Sequence, residues 1–331
     1  MVLEDVYLFI KTVKQMEQKK IIAIVGATGA QGGGLARAIL ADQGSEFAVR
    51  AITRKVNSDK AKALAELGAE VVEADLDNED SITMAFQGAY GAFCVTNYWE
   101  YFSPEKEIEH ARNMAQAARN AGLKHVIWSS LDDTRRLIPM EDNSIPTLMD
   151  KYKVPHFDAK GESDRFFLEG GFPATVLYTV FYWDNFIYFG LGPQRGQDGK
   201  LAITFPMCDK KLPAIAAEDI GKCAYGIFKA GDTYIGKTVG IAGEHVSGPE
   251  MAKKFSELVG EEVLYNDVPP EVYRSFGFPG ADDMGNMFQF KRDYNDYYTR
   301  SRDVNFTRTL NPSLLSFSQW LEKNKEKISV N

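Results

Sequence analysis

Ile21-Ile22-Ala23-Ile24-Val25-Gly26-Ala27-Thr28-Gly29-Ala30-Gln31-Gly32 is the stretch whose reading decides the fold. Its first five residues form the β-branched run that a strand buried on both faces requires. The glycines that follow are spaced G-x-x-G-x-x-G, and Leu35-Ala36-Arg37-Ala38-Ile39-Leu40 then carries helical apolar spacing. Between strand and helix each glycine has a task. Gly26 permits a tight turn, Gly29 lets backbone approach a pyrophosphate, and Gly32 lets helix and strand pack closely. The helix start presents free N–H groups and the positive end of its dipole to phosphate oxygens. A glycine-rich heptad alone is also what an ordinary turn looks like. Its flanks argue instead for a dinucleotide cradle running from Gly26 through Ala27, Thr28, Gly29, Ala30 and Gln31 to Gly32.

Outward from this stretch, strand and helix signals alternate. Strands are expected at 48–53, 70–73, 91–95 and 125–129, with helices at 60–67, 80–86 and 104–121; Gly68 and Gly122 close two of these helices. Repeated β-then-α units of this length imply a Rossmann-type, doubly wound parallel sheet with right-handed crossovers. Residues 135–155, broken by Pro139, Pro146 and Pro155, read as a loop over the sheet edge. A helix at 156–168 and a strand at 174–177 follow. Residues 181–213 are rich in aromatics, Gly and Pro and suggest loops and a small hairpin. Amphipathic helices are expected at 218–228 and 249–259, a strand at 238–241, and short helices at 270–276 and 314–324. The division expected is an extension over 1–19, a nucleotide-binding domain over 20–180, and a smaller α+β lobe over 181–331 covering the cleft, with some later segments returning to the first domain.

Composition agrees with an ordinary α/β protein. The chain has 331 residues, 44% hydrophobic and 25% charged, with a formal net charge of −8. That balance argues against a general nucleic-acid surface, which needs clustered Lys and Arg. The three cysteines, Cys94, Cys208 and Cys223, lie far apart and the four histidines are scattered, so no metal site is assigned. The apolar patch at 6–10 follows Glu4 and Asp5 and is too short for a membrane span. The first twenty residues therefore read as an extra helix or ragged extension, with Met16 a second candidate start. Cytoplasm, with nuclear access, is the expected location.

The end of the second strand selects between coenzymes. NAD sites place an acidic residue there, whereas NADP sites place Arg or Lys against the 2′-phosphate. Here the chain reads Ala51-Ile52-Thr53-Arg54-Lys55, so NADP(H) is favoured and NAD(H) stands second. Arg54 can meet a phosphate with two parallel hydrogen bonds; the alternative is a solvated basic loop. Asp75, followed by Leu76 after the third strand, is placed to meet the adenine edge.

Together with Gly26–Gly32, Arg54 and Asp75, the stretches Val95-Thr96-Asn97-Tyr98-Trp99-Glu100 and His156-Phe157-Asp158-Ala159-Lys160-Gly161-Glu162 resemble the NmrA-like proteins. These are atypical members of the short-chain dehydrogenase/reductase superfamily. The likeness runs from about Lys20 to the C-terminus and takes in Gly277-Phe278-Pro279-Gly280-Ala281 and Asn286-Met287-Phe288. It implies a bilobal molecule in which Thr96, Asn97 and Tyr98 line the nicotinamide side and Lys160 contacts the nicotinamide ribose. It also implies that Tyr182, Trp183, Asp184 and Asn185 close over that end, with Arg119 nearby.

Conventional short-chain reductases carry a Tyr four residues before the Lys, one helical turn away, where the lysine can lower the phenol's pKa. Here that position is His156, and Tyr152 is separated from the helix by Pro155. Ser129 and Ser130, without such a tyrosine, read as structural. Two functions remain open. One is a redox sensor whose shape, assembly or regulatory protein partner depends on bound NADP(H), as the resemblance implies. The other is a reductase of a quinone or aromatic carbonyl that uses Lys160, His156 or water for proton delivery. The missing tyrosine weighs toward the sensor. The aromatic run 178–189 suits a flat substrate pocket, a packed lobe interface or a cover over the nicotinamide ring, and an exposed aromatic-rich lobe would suit a homodimer.

Overall fold

The computed structural model describes residues 19–328, so the expected extension, Lys19 apart, and the second candidate start at Met16 lie outside the described residues. The first half of the chain builds β1 (Lys20–Val25), α1 (Ala30–Ala41), β2 (Phe47–Thr53), α2 (Asp59–Glu66), β3 (Glu70–Glu73), α3 (Glu79–Phe86) and β4 (Gly91–Cys94). After them come a single turn, α4 (Tyr98–Tyr101), then α5 (Pro104–Asn120), β5 (His125–Ser130), α6 (Pro155–Leu168) and β6 (Ala174–Tyr178). Local chemistry sets the boundaries. Ser58, Asn78 and Ser103 each accept a backbone N–H as helix N-caps, and Pro104 occupies the first turn of α5.

The second half adds β7 (Phe181–Tyr182), α7 (Asn185–Tyr188), β8 (Gln194–Arg195), β9 (Leu201–Thr204), β10 (Lys211–Ile215), α8 (Ala217–Lys229) and β11 (Thr238–Gly240). It ends with β12 (Glu244–Ser247), α9 (Gly248–Val259), β13 (Val263–Asn266), α10 (Pro270–Arg274), α11 (Ala281–Asp293), α12 (Asn295–Arg300), α13 (Val304–Leu310) and α14 (Phe317–Asn324). Seven strands form one parallel sheet in the spatial order β3-β2-β1-β4-β5-β6-β11. Strand order reverses between β1 and β4, and at such a switch point the C-terminal strand ends open a crevice. Two three-stranded sheets, β12-β10-β7 and β13-β9-β8, lie in the later part of the chain.

Glycines set how closely the helices approach. A Cβ at Gly32 would stand 2.5 Å from the Gly26 carbonyl oxygen, so α1 can lie against the β1 turn only with hydrogen there. Two residues on, a Cβ at Gly34 would lie 2.4 Å from the Glu218 carbonyl, and one at Gly221 would lie 2.1 Å from the Leu35 nitrogen. The α1–α8 contact is therefore backbone on backbone. With α8 on α1 and β11 on the sheet edge, two segments beyond residue 180 belong to the main sheet layer.

The irregular segment ahead of α6 is a packed structure. Lys153, wholly buried, donates to the carbonyls of Met140 at 3.3 Å, Asp142 at 2.6 Å and Ile145 at 3.1 Å, and to the Thr147 hydroxyl at 3.0 Å. From α11, Asn286 Nδ2 donates to the Pro146 and Lys153 carbonyls at 2.8 and 2.6 Å. One buried amine and one amide thus satisfy backbone groups that a loop would otherwise bury unpaired.

Candidate functional site

At the switch point the turn after β1 is shaped as a phosphate cradle. Gly26 takes φ +65°, a left-handed conformation that an L side chain rarely adopts. Gly29 is the N-cap of α1, and no side chain caps the helix, which leaves its first N–H groups for an anion. A Cβ at Gly29 would stand 3.1 Å from the Gly26 carbonyl and crowd the same concavity. These features fit a pyrophosphate.

Arg54, just past β2, is held by Glu100 rather than left free. Its Nη1 donates to Glu100 Oε1 at 2.7 Å, its Nη2 to Oε2 at 3.0 Å, and Nη1 also reaches the Tyr101 hydroxyl at 3.3 Å. Lys55 beside it is exposed. Asp75 is exposed and closes its own turn, its Oδ1 accepting from the Asp77 N–H at 3.1 Å. Leu76 is half-buried against the core, and its carbonyl accepts from Asn113 Nδ2 at 2.9 Å.

The crevice deepens into a cavity of about 700 Å3 bounded by Ala30 and Gln31 of α1, Thr96, Asn97 and Tyr98 after β4, and Lys160 of α6. Lys160 Nζ donates to Thr96 Oγ1 at 2.6 Å and pairs with Glu107 Oε1 at 2.7 Å; its ammonium lies 5.1 Å above the Trp128 ring. The Thr96 hydroxyl donates to the same Glu107 oxygen. An ammonium has three N–H bonds, and two are engaged here by oxygen acceptors. On the facing side, Gln31 Nε2 donates to the Tyr182 hydroxyl at 2.7 Å, while Gln31 Oε1 accepts from Ser129 Oγ at 2.7 Å. Burial pushes the Tyr182 phenol up to about 12. Burial, and then the Asp283 carboxylate, push Tyr98 upward as well, so both phenols stay protonated.

His156 borders the cavity, but its Nδ1 is engaged at 2.7 Å by Asp283 of α11, and its ring lies 4.9 Å from that of Trp99. Tyr152 turns elsewhere, its hydroxyl 3.4 Å from Glu105 Oε1. Asp158 explains another part of the same stretch. Its buried carboxylate accepts from the backbone N–H groups of Thr134, Lys153 and Val154 at 2.8, 2.7 and 3.0 Å. Tyr182, Asp184 and Asn185 face the cavity, with Asp184 Oδ2 also accepting the Ala217 N–H at 2.8 Å.

Two expectations are corrected. Trp183 does not close over the site. Trp183 lies in the turn after β7, where the chain leaves the extended conformation, and its side chain, 0% exposed, packs against Phe317 and Trp320 with ring centroids 5.4 and 6.2 Å away. Arg119 is not near the nicotinamide end. It sits in the last turn of α5, which runs back along the sheet to the N-terminal strand edge, where it donates to the Phe166 carbonyl at 2.6 Å and covers Phe172. Three partners went unnoticed in the sequence: Glu107, Asp283 and the side chain of Gln31. Glu107 reads locally as an acidic residue in a helix's first turn, and nothing nearby in sequence marks it as the partner of Lys160.

The fold and site define a doubly wound α/β protein with a nucleotide-type cradle leading into an apolar cavity at the strand switch point. The chain belongs to the NmrA-like family, whose sequence pattern matches residues 18–322. It is 30% identical over 298 residues to the NmrA-like family domain-containing oxidoreductase FrzB of Cladobotryum sp, covering 84% of this chain and 85% of that one. The structure of NmrA, a negative transcriptional regulator, is similar at a TM-score of 0.76 and 23% identity, covering 94% of this chain and 99% of that one. Triphenylmethane reductase of Citrobacter sp. complexed with NADP(H) is similar at a TM-score of 0.69 and 21% identity, covering 92% and 99%. These two structural likenesses show a shared fold.

Proposed function

We propose that this protein binds NADP(H) and reduces an apolar aromatic carbonyl or quinone. The observation that carries the reading is the cavity of about 700 Å3 that continues from the Lys160–Thr96–Glu107 cluster and is walled mostly by aromatic and aliphatic side chains. The oxidoreductase name of FrzB and the NADP(H) held by the triphenylmethane reductase support it. In this reading the residues from Gly26 to Gly32 hold the pyrophosphate, Arg54 the 2′-phosphate, and Thr96, Asn97, Tyr98 and Lys160 the nicotinamide end. Bound NADPH supplies the hydride. Lys160 gives a proton to the substrate oxygen through its third N–H and recovers one from solvent, while Glu107 and Thr96 hold the amine in place. Tyr182 and Gln31, bonded to each other at 2.7 Å, would bound the nicotinamide end, and the apolar wall limits water there.

The test is NADPH oxidation over a panel of quinones and aromatic carbonyls. Lys160→Met should lower kcat by about 100-fold or more, the scale of general acid catalysis, with NADPH still bound. Turnover of no compound, or an unchanged kcat in the variant, would remove the reading. The sensor remains a second reading because His156 stands where a reductase tyrosine would be and joins α6 to α11 through Asp283. It requires unequal affinities for NADP and NADPH together with a change in assembly or partner binding.

A further inference from the structure

Lys291, on α11, is 1% exposed and borders the cavity. Among the described residues no oxygen accepts from its Nζ; the contact is Met287 Sδ at 3.2 Å. Aromatic rings surround the amine, with centroids of Phe157, Tyr298, Phe181 and Phe288 at 5.3, 5.4, 5.8 and 6.0 Å. The charged groups that bear on it are Arg302 and Asp132, and these are engaged with each other. The Tyr298 hydroxyl is also buried without a partner. An unpaired donor in a dry wall is costly, and a leucine or methionine would pack there without that cost.

We propose that Lys291 anchors a carboxylate carried by an otherwise aromatic substrate. Of the rings around the amine, Phe157 and Phe181 border the cavity and receive the skeleton, and the carboxylate supplies the acceptor and counter-charge that the fold withholds. This rests on the reading of the cavity as a substrate site. It adds a chemical class to that site, because a neutral hydrocarbon or amide of the same shape leaves the amine unpaired. Burial, and then Arg302, pull the Lys291 amine down to about 7. At pH 8 most of it is therefore neutral, and an arriving carboxylate must draw a proton onto it.

The experiment is calorimetric titration of the purified full chain with 2-naphthoate and with 2-naphthamide, with and without NADP. The naphthoate should bind at least about tenfold tighter, on the scale of a buried hydrogen bond to a charged group. Its heat at pH 8, compared in two buffers of different ionisation enthalpy, should report uptake approaching one proton; the amide should show none. Lys291→Met should remove the preference. Binding of neither probe, equal binding of both, or a preference kept in Lys291→Met overturns the anchor. If that variant does not fold, proton uptake by the unaltered protein decides the matter. Loss of the naphthoate preference with NADP still bound sinks the anchor alone. Failure to bind NADP sinks the cofactor reading and leaves the naphthoate comparison to judge Lys291.

Discussion

Replacing Glu100 by Gln, alone and with Arg54→Ala, measures how the adenosine end chooses its coenzyme. In the structure Arg54 makes a two-pronged contact to Glu100 at 2.7 and 3.0 Å, so Glu100 competes with a second anion for the guanidinium. Arg54 is 52% exposed and Glu100 34% exposed at the side chain, so water screens the pair and its worth is about 1 kcal/mol at most. Releasing it should tighten NADP about two- to fivefold and leave NAD within about twofold. Arg54→Ala removes charge-assisted hydrogen bonds to the 2′-phosphate of roughly 1.5–3 kcal/mol, so NADP should weaken about 10- to 150-fold and NAD scarcely at all. In that background Glu100→Gln should still help NADP, because an uncompensated carboxylate would face the phosphate. Titrations with both coenzymes at about 0.1 M salt, where surface charges are screened within about 10 Å, give the four constants. Equal losses for NAD and NADP in Arg54→Ala would refute the placement of the 2′-phosphate.

Gly32→Ala should cost roughly 1–3 kcal/mol of stability by overpacking, because the new Cβ meets backbone 2.5 Å away; dinucleotide-dependent thermal shift should vanish with it, and an unaltered shift would contradict the cradle. Asp164, which accepts from Trp128 Nε1 at 3.0 Å and the Tyr178 hydroxyl at 2.7 Å, is pushed up by burial from 3.8 to about 7. The folded state therefore keeps a proton that the unfolded chain has lost, and the stabilisation present below about pH 4 fades as pH rises through about 7. Melting curves of Asp164→Asn should lack that decline between pH 4 and 8; curves parallel to those of the unaltered protein would show that Asp164 does not titrate there. His156→Phe should lower stability by about 1–3 kcal/mol by depriving Asp283 of a buried partner, with kcat within a few-fold; a fall of 100-fold at unchanged stability would instead make His156 the proton donor.

What could be read from sequence was local in physical origin. The β1 run, its glycines and the start of α1 carry their reasons within a dozen residues, and so does the alternation that follows. Arg54 was singled out by its place just past the second strand and Lys160 by the resemblance; the structure pairs Arg54 with Glu100 and sets Lys160 at the cavity. Trp183 was misplaced because its neighbours Tyr182 and Asp184 face the cavity, and nothing local in the sequence shows that the turn between β7 and α7 sends the indole toward Phe317 and Trp320 instead. Arg119 was misplaced because a helix returning along the sheet carries its last turn to the far edge. The helix α11 escaped notice for another reason: it is buried at Ala281, Asp283 and throughout Gly285–Lys291, so it lacks the one-sided apolar stripe that marks a surface helix. With α11 went Asp283 and Lys291, and with them part of the cavity wall.

The stretch from His156 to Gly161 shows why a motif can be recognisable and still be misread. Within little more than one turn of α6, His156 engages α11, Asp158 collects three backbone N–H groups from the preceding segment, and Lys160 reaches Thr96 after β4. Gly161 completes the set, since a Cβ there would lie 2.3 Å from the Asp133 nitrogen. Of these four residues Lys160 and His156 border the cavity, and Lys160 is the one bonded there to Thr96 and Glu107. His156, Asp158 and Gly161 hold two distant parts of the chain, α11 and the stretch at 133–134, against α6. A tyrosine at position 156 would keep the backbone N–H bond to Asp283 and change only the ring contact; with histidine there, backbone and imidazole both reach one carboxylate and tie α6 to α11, beside the Lys160–Glu107 pair on which the proposed reduction rests.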